Sequence, residues 1–250
     1  MKKIVVLLFA LVTLQANAQK LIGGDHIIKT NLSADALQNY NLTFEKSLNH
    51  FMSLSISYSS MPKRSIPLKS LAKKYINNPN IDFDNFKVAN NALTFEGRFY
   101  LGLQKMSGLY IAPYARFGNL EANIPINYKY DIQVANQTVT VTPPPANLSG
   151  TIRSQSFGAY FGMQFQLLTK VVLDFWVIGG HYGTSNGKLQ FDAPTGTPPQ
   201  ALTALKSTID QTKVHPFNIK TSISGNSVIT DTEGPWAGIR GAGLTVGVRF

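Results

Sequence analysis

The chain has 250 residues, 23 Lys plus Arg against 13 Asp plus Glu, a net charge of +10 and no Cys. The missing Cys excludes disulfides, thiol catalysis, Cys-ligated zinc and a lipid-bearing Cys at an export junction. Charged residues make up only 14%, low against the ~25% of ordinary soluble domains, so a charged shell does not cover this protein.

Residues 1–18 read MKKIVVLLFALVTLQANA. Lys2 and Lys3 precede an apolar run from Ile4 to Leu14, and Ala16-Asn17-Ala18 supplies an A-x-A exit. That is the pattern of a secretory signal peptide, and the run is too short to span a bilayer. The mature chain is expected to start at Gln19 and to form one domain, 19–250. Without Lys2 and Lys3 it has 21 basic against 13 acidic residues, net +8. For an exported basic protein the nearer partner is a negatively charged envelope surface, not nucleic acid. No later segment holds 18 consecutive apolar residues, so no transmembrane helix is expected.

From residue 25 onward, period-two segments recur. Two weak ones, 25–34 and 40–47, come first. In 52–59, Met52, Leu54, Ile56 and Tyr58 share one face and Ser53, Ser55, Ser57 and Ser59 the other. Segments 92–101, 108–118, 156–167, 171–183 and 239–250 follow, making eight. Tight connections lie at 48–50, 104–107 and 168–170. Long ones lie at 60–91, 119–153 and 184–238. All tight turns fall on one side and all long loops on the other, and an even strand count puts both chain ends on the tight side. The expected fold is therefore all-β: an eight-stranded antiparallel up-and-down transmembrane β-barrel, with long extracellular loops carrying short helices. The last strand, Gly243 to Phe250, must pair with the first.

Alternation alone does not say which face is inside. Phe44, Phe95, Phe99, Phe157, Phe161, Phe165 and Phe175 would overfill an eight-stranded interior, whereas the opposite face is small and polar. That polar face also carries Lys29, Glu45, Glu96, Arg98, Arg116, Asp174 and Arg249, four basic and three acidic. Buried charges need partners, and these signs permit a lumenal network of ion pairs. Tyr40, Tyr58, Tyr110 and Tyr182 fall near strand ends, where aromatic girdles form.

The loops divide by chemistry. In 60–91, Lys63, Arg64, Lys69, Lys73 and Lys74 form a basic cluster suited to anionic lipopolysaccharide, and a short helix is expected after Pro67. In 119–153, QTVTVTPPP suggests strand extensions ended by Pro143 to Pro145. In 184–238, Leu202, Leu205 and Ile209 fit a short amphipathic helix that can fold over the mouth as a lid. Four His, at 26, 50, 181 and 215, have no ligand spacing, and neither a metal nor a cofactor is expected. His181 with Ser185 raises a lipid hydrolase at the rim. Parity puts His181 on the lipid side, Ser185 falls in a loop, and no orienting acid shares the face, so no catalytic residue is assigned and the protein is not read as an enzyme.

The stretches ANAQ, KTNLSAD, LDFWVIGGHYG and LTVGVRF together resemble small outer-membrane β-barrel proteins. The nearest architecture is the OmpA/OmpX-type eight-stranded barrel, with a likeness also to poorly characterised barrels of Gram-negative envelopes. The resemblance implies an outer-membrane location. It also implies that the terminal motif, here Leu244, Val246, Val248 and Phe250, is read by the barrel-assembly machinery. The expected role is structural, or one of surface interaction through the loops. A narrow channel or small-ligand transporter, a rim-located lipid-modifying enzyme and a soluble periplasmic lipocalin-like binder stand as alternatives.

Overall fold

A computed structural model describes residues 24–250 except 67, 68, 77, 103, 168, 169, 213 and 215. The signal peptide, the mature start at Gln19 and His215 lie outside the described residues. In chain order the elements are β1 His26–Asn31, α1 Leu32–Ala36, β2 Tyr40–Ser47, β3 Met52–Ser65, α2 Lys69–Ile76, β4 Lys87–Tyr100, β5 Gly108–Ile126, β6 Tyr130–Val134 and β7 Gln137–Val141. Then come β8 Ala146–Leu167, β9 Val171–Asp192, α3 Pro199–Asp210, β10 Asn218–Ser224, β11 Ser227–Pro235, β12 Gly238–Arg240 and β13 Gly243–Arg249.

Eight strands close a ring of antiparallel neighbours in the order β1-β2-β3-β4-β5-β8-β9-β13, and β13 returns to β1. Closure is made at the chain's end. Phe250 N–H donates to His26 O at 2.9 Å, His26 N–H donates to Phe250 O at 3.1 Å, and the two rings stack at 6.0 Å. The carboxy-terminus is thus a ladder partner and not a fraying tail. Deleting Phe250 removes two backbone hydrogen bonds of about 1 kcal/mol each. The expected result is a lower urea midpoint for the folded band on an unboiled gel; an unchanged midpoint would show that the final pair contributes nothing to closure.

Period-two patterning decides the faces, as the ladder requires. Phe44, Leu54, Ile56, Phe95, Phe99, Leu109, Phe157, Phe161 and Phe175 all point outward and are exposed, from 37% at Phe44 to 66% at Phe157. Lys29, Glu45, Ser53, Ser55, Glu96, Arg98, Gln164 and Asp174 point inward and are buried. The apolar outer face does not run the full height. On β5 the outward series changes after Phe117 to Asn119, Glu121 and Asn123; on β8 it changes beyond Phe157 to Gln155, Arg153, Thr151 and Ser149. These two strands pair in register through the change, with Phe117 opposite Gln155.

The strands therefore reach further than expected. β5 has 19 residues and β8 and β9 have 22 each, so much of 119–126, 146–155 and 184–192 is strand and not loop. Where the outer residues turn polar the inward ones turn apolar, which inverts the amphipathic pattern and hides the strand from a search for outward hydrophobics. Residues 227–249 run as β11, β12 and β13 in turn along β9, so the eighth strand is also long but broken. Gln137–Val141 belongs to a separate hairpin with β6, turned by Ala135 and Asn136 at φ 47° and 62°, as a two-residue hairpin loop demands. Residues 32–36 are helix rather than strand, because the Asn31 side chain accepts from Ala34 N–H at 3.0 Å and caps the turn.

The expected helices form at α2 and α3. Pro199 opens α3, where its missing N–H costs nothing. The helix buries Ala201, Leu202, Leu205 and Ile209 against Phe83, Phe86, Val88, Leu148, Leu189 and Val228. This apolar plug fills the loop-side mouth. Asn78 Nδ2 ties it to the β3–β4 connection by donating to Thr212 Oγ1 at 2.6 Å.

Candidate functional site

The interior below the cap is an ionic cluster with a shell of phenols. An eight-stranded ring is narrow, and long polar side chains from opposite walls meet at its axis. Lys29 on β1 pairs with Glu45 on β2 and reaches Asp174 on β9 at 2.9 Å; its ammonium also donates to Gln164 Oε1 at 2.8 Å. Arg98 on β4 spans the lumen, at 2.6 Å from Asp174, 2.9 Å from Glu96 and 3.4 Å from Glu45. The remaining carboxylate lone pairs are taken by hydroxyls. Ser53 and Tyr100 donate to Glu45, Tyr110 to Asp174 and Tyr160 to Glu96, each at 2.6 Å. A buried ion pair offsets its desolvation only when its other polar atoms are also satisfied; here the carboxylates are shared among cations and phenols at once.

The phenols need space, and glycines across the ladder supply it. Tyr110 is paired with Gly162, and a Cβ there would stand 2.4 Å from Tyr110 Cζ. Trp176 is paired with Gly243, where a Cβ would stand 1.9 Å from Trp176 Cζ2. Tyr100, Tyr110, Tyr160 and Trp176 then contact in sequence, with ring centroids 5.3 to 6.1 Å apart. Tyr110 is therefore an interior residue, not a girdle residue as its place near a strand end suggests. Tyr40, Tyr58 and Tyr182 are exposed on the outer wall.

Of the seven charges read as one network, Lys29, Glu45, Glu96, Arg98 and Asp174 come together, whereas Arg116 and Arg249 do not. Arg116 is paired with Thr94 and Ser156, nearer the loops, and no acid lies beside it in register. Arg249 sits at the terminal rim, where it donates to Gly24 O, Lys105 O and Gln166 Oε1. Sequence reading missed Arg240, whose Nη1 lies 3.4 Å from Glu96 Oε1. Its parity is broken by the two residues between β12 and β13. Gln164 and the phenols were on the expected polar face, but nothing in the spacing marked them as partners of the charges.

His181 also differs from expectation. Opposite Phe161 and Gly162, strand β9 carries an extra residue, so Ile178 and Trp176 oppose consecutive positions. That bulge reverses the parity beyond it. His181 turns inward, with Nδ1 3.3 Å from Tyr114 OH, and Ser185 lies within β9, donating to Gly234 O at 3.2 Å. Four residues along one strand separate them by roughly 13 Å, so the hydroxyl and imidazole cannot exchange a proton directly.

Among the described residues no group of His, Asp and Glu has the arrangement of a metal site, and no helix is long and apolar enough to cross a membrane. The basic loop cluster is partly satisfied. Arg64 donates to Leu37 O, Lys69 pairs with Asp84, and Lys63, Lys73 and Lys74 stay exposed on β3 and α2. In the cap, hydrogen bonds from Asn85 hold Asp82 below the usual carboxylate range, and those from Ser227 and Gln190 do the same for Asp192. Of the terminal motif, Leu244, Val246 and Val248 face outward while Phe250 closes the ladder.

The fold and its interior define a class: a closed eight-strand antiparallel ring, apolar outside and ionic inside. The chain belongs to the DUF3575 family, proteins of unknown function, whose profile matches residues 4–197. Among solved structures it is similar to Acinetobacter baumannii CarO, at 12% identity and a TM-score of 0.39 over 92% of this chain and 99% of that one. It is also similar to Acinetobacter baumannii CarO2, at 8% identity and a TM-score of 0.36 over 90% and 97%. At those values neither likeness bears on function. A search of curated proteins gives no match.

Proposed function

We propose that this chain is an integral outer-membrane β-barrel protein, exported by residues 1–18, with both termini of the mature domain 19–250 in the periplasm. Its role is structural or one of surface interaction, carried by the loop-side cap. One observation supports the location above others: a closed ring with aromatic and aliphatic residues exposed around its outer wall and charges buried at its centre. Water penalises an apolar belt of that extent, whereas hydrocarbon requires it, and closure satisfies every ladder group. The change at Phe117 and Phe157 to polar outer residues marks where the wall leaves lipid. The exposed Lys63, Lys73 and Lys74 lie beyond that boundary, where the headgroups of lipopolysaccharide are the available anions. Leu244, Val246, Val248 and Phe250 are the residues offered to the assembly machinery.

The ionic cluster and the apolar cap each close the lumen, which favours a sealed barrel over a channel. The test is gel mobility of the membrane fraction, boiled and unboiled in SDS, followed by planar-bilayer recording. The expected outcome is outer-membrane protein that shifts on heating and conducts no current above background. Release by osmotic shock without detergent would overturn the location, and steady conductance altered by Arg98→Gln would replace the sealed barrel with a channel.

A further inference from the structure

The interior charges do not cancel. Among the described residues facing the lumen between the terminal rim and the cap, Lys29, Arg98, Arg116 and Arg240 are basic and Glu45, Glu96 and Asp174 acidic. The three carboxylates are already shared by Lys29, Arg98 and Arg240. Arg240 is further held by rings, its guanidinium carbon 4.4 Å from the centroid of Tyr160 and 4.8 Å from that of Trp176. Among the described residues Arg116 has no ion pair and no hydrogen bond. Its electrostatic neighbours are Arg240, Tyr114, Glu96 and His181, the first of like sign. A lone guanidinium inside a barrel is costly unless an anion meets it.

The hydroxyl next to it is also unmet. Ser156, the direct ladder partner of Arg116, is 2% exposed, and its Oγ has no partner. Ser55, paired with Glu96 one inward-facing row below, is 4% exposed and its Oγ is unmet as well. Buried hydroxyls are nearly always bonded, so the unmet Ser156 hydroxyl beside an unpaired Arg marks a place for an acceptor. Arg116 keeps partial exposure and the Arg240 side chain 23%. Both side chains are on the inward face of their strands.

We infer that the lumen above the ionic cluster binds one small monoanion, a carboxylate or a halide, between Arg116 and the hydroxyl of Ser156. Its single negative charge neutralises the interior excess. A guanidinium fork with an adjacent hydroxyl suits a carboxylate in particular. The site belongs to the interior and is indifferent to what surrounds the outer wall, so failure of the membrane assignment leaves it standing.

The test is titration calorimetry of the purified full-length mature protein in detergent micelles, with sodium acetate and sodium chloride added at ionic strength held by sodium sulfate. The expected result is saturable binding of one anion per barrel, lost in Arg116→Gln and weakened about fivefold in Ser156→Ala, where one hydrogen bond is removed. Lys129→Gln, exposed between β5 and β6, leaves it unchanged. Binding of acetate alone identifies a carboxylate site, and binding of both a general monoanion site. Heat modifiability on gels reports whether each variant is folded, and Ser156→Ala carries the test if Arg116→Gln is not. Absence of saturable heat in the wild type overturns the inference and leaves water as the partner of the Ser156 hydroxyl. Wild-type affinity in a folded Arg116→Gln or Ser156→Ala overturns it as well.

Discussion

Asp174→Ala is expected to lower the unfolding free energy of the barrel by about 3–5 kcal/mol, the cost of breaking a buried ion pair by removing one partner. Asp174 accepts from Lys29 at 2.9 Å, Arg98 at 2.6 Å and Tyr110 at 2.6 Å. Its loss leaves four inward cations against two carboxylates and strands a phenol. The measurement is the urea concentration at which the unboiled, fast-migrating band disappears. A second variant separates charge from packing. Lys29→Met combined with Asp174→Leu removes one charge of each sign and fills the volume with apolar atoms, so it should cost less than the single change. If Asp174→Ala shifts the midpoint no further than the double variant, the cluster does not hold the barrel together in the way its geometry implies.

The second large effect belongs to the cap. Leu205 is fully buried on α3, and Leu205→Asp puts an unpaired carboxylate among apolar side chains, on the order of 4–5 kcal/mol. The helix packs on β6, β10 and β11 and shares its apolar cluster with residues of β4, β5, β8 and β9, not with the ionic cluster, so the loss is local. We expect trypsin added to intact cells to cut after Lys206 in the variant and not in the wild type, while the barrel below keeps its heat shift. Equal resistance in both would mean that α3 is held by something other than its apolar face. A cap that opens without unfolding the barrel would make the mouth a separate unit, the one through which surface contacts can change.

Much of the ring was legible because its physics is periodic. The Ser53–Ser59 series opposite Met52–Tyr58 can be satisfied only by a strand with one face in an apolar medium or core. The count of such segments, with tight turns alternating with long loops, leaves few topologies. The excess of Phe over what a narrow lumen holds decided the facing. The inward row containing Lys29, Glu45, Glu96, Arg98 and Asp174 followed from parity alone. Parity then failed where the backbone adds or interrupts a step. The bulge at Val177 and Ile178 turned His181 inward, and the break at Gly241 and Ala242 hid Arg240.

What the sequence by itself determined is therefore the local and alternating part: the number of ring strands, face, the helices α2 and α3, and an even closure that makes Phe250 a partner of the first strand. What only the tertiary structure decided is which inward residues share one level of the lumen. Ladder register and strand curvature bring Arg98 across to Asp174, 76 residues away in the chain, and leave Arg116 beside Ser156. Period two reports which way a side chain points. It carries no information about height along the barrel axis, and at the axis height decides whether a charge finds a partner.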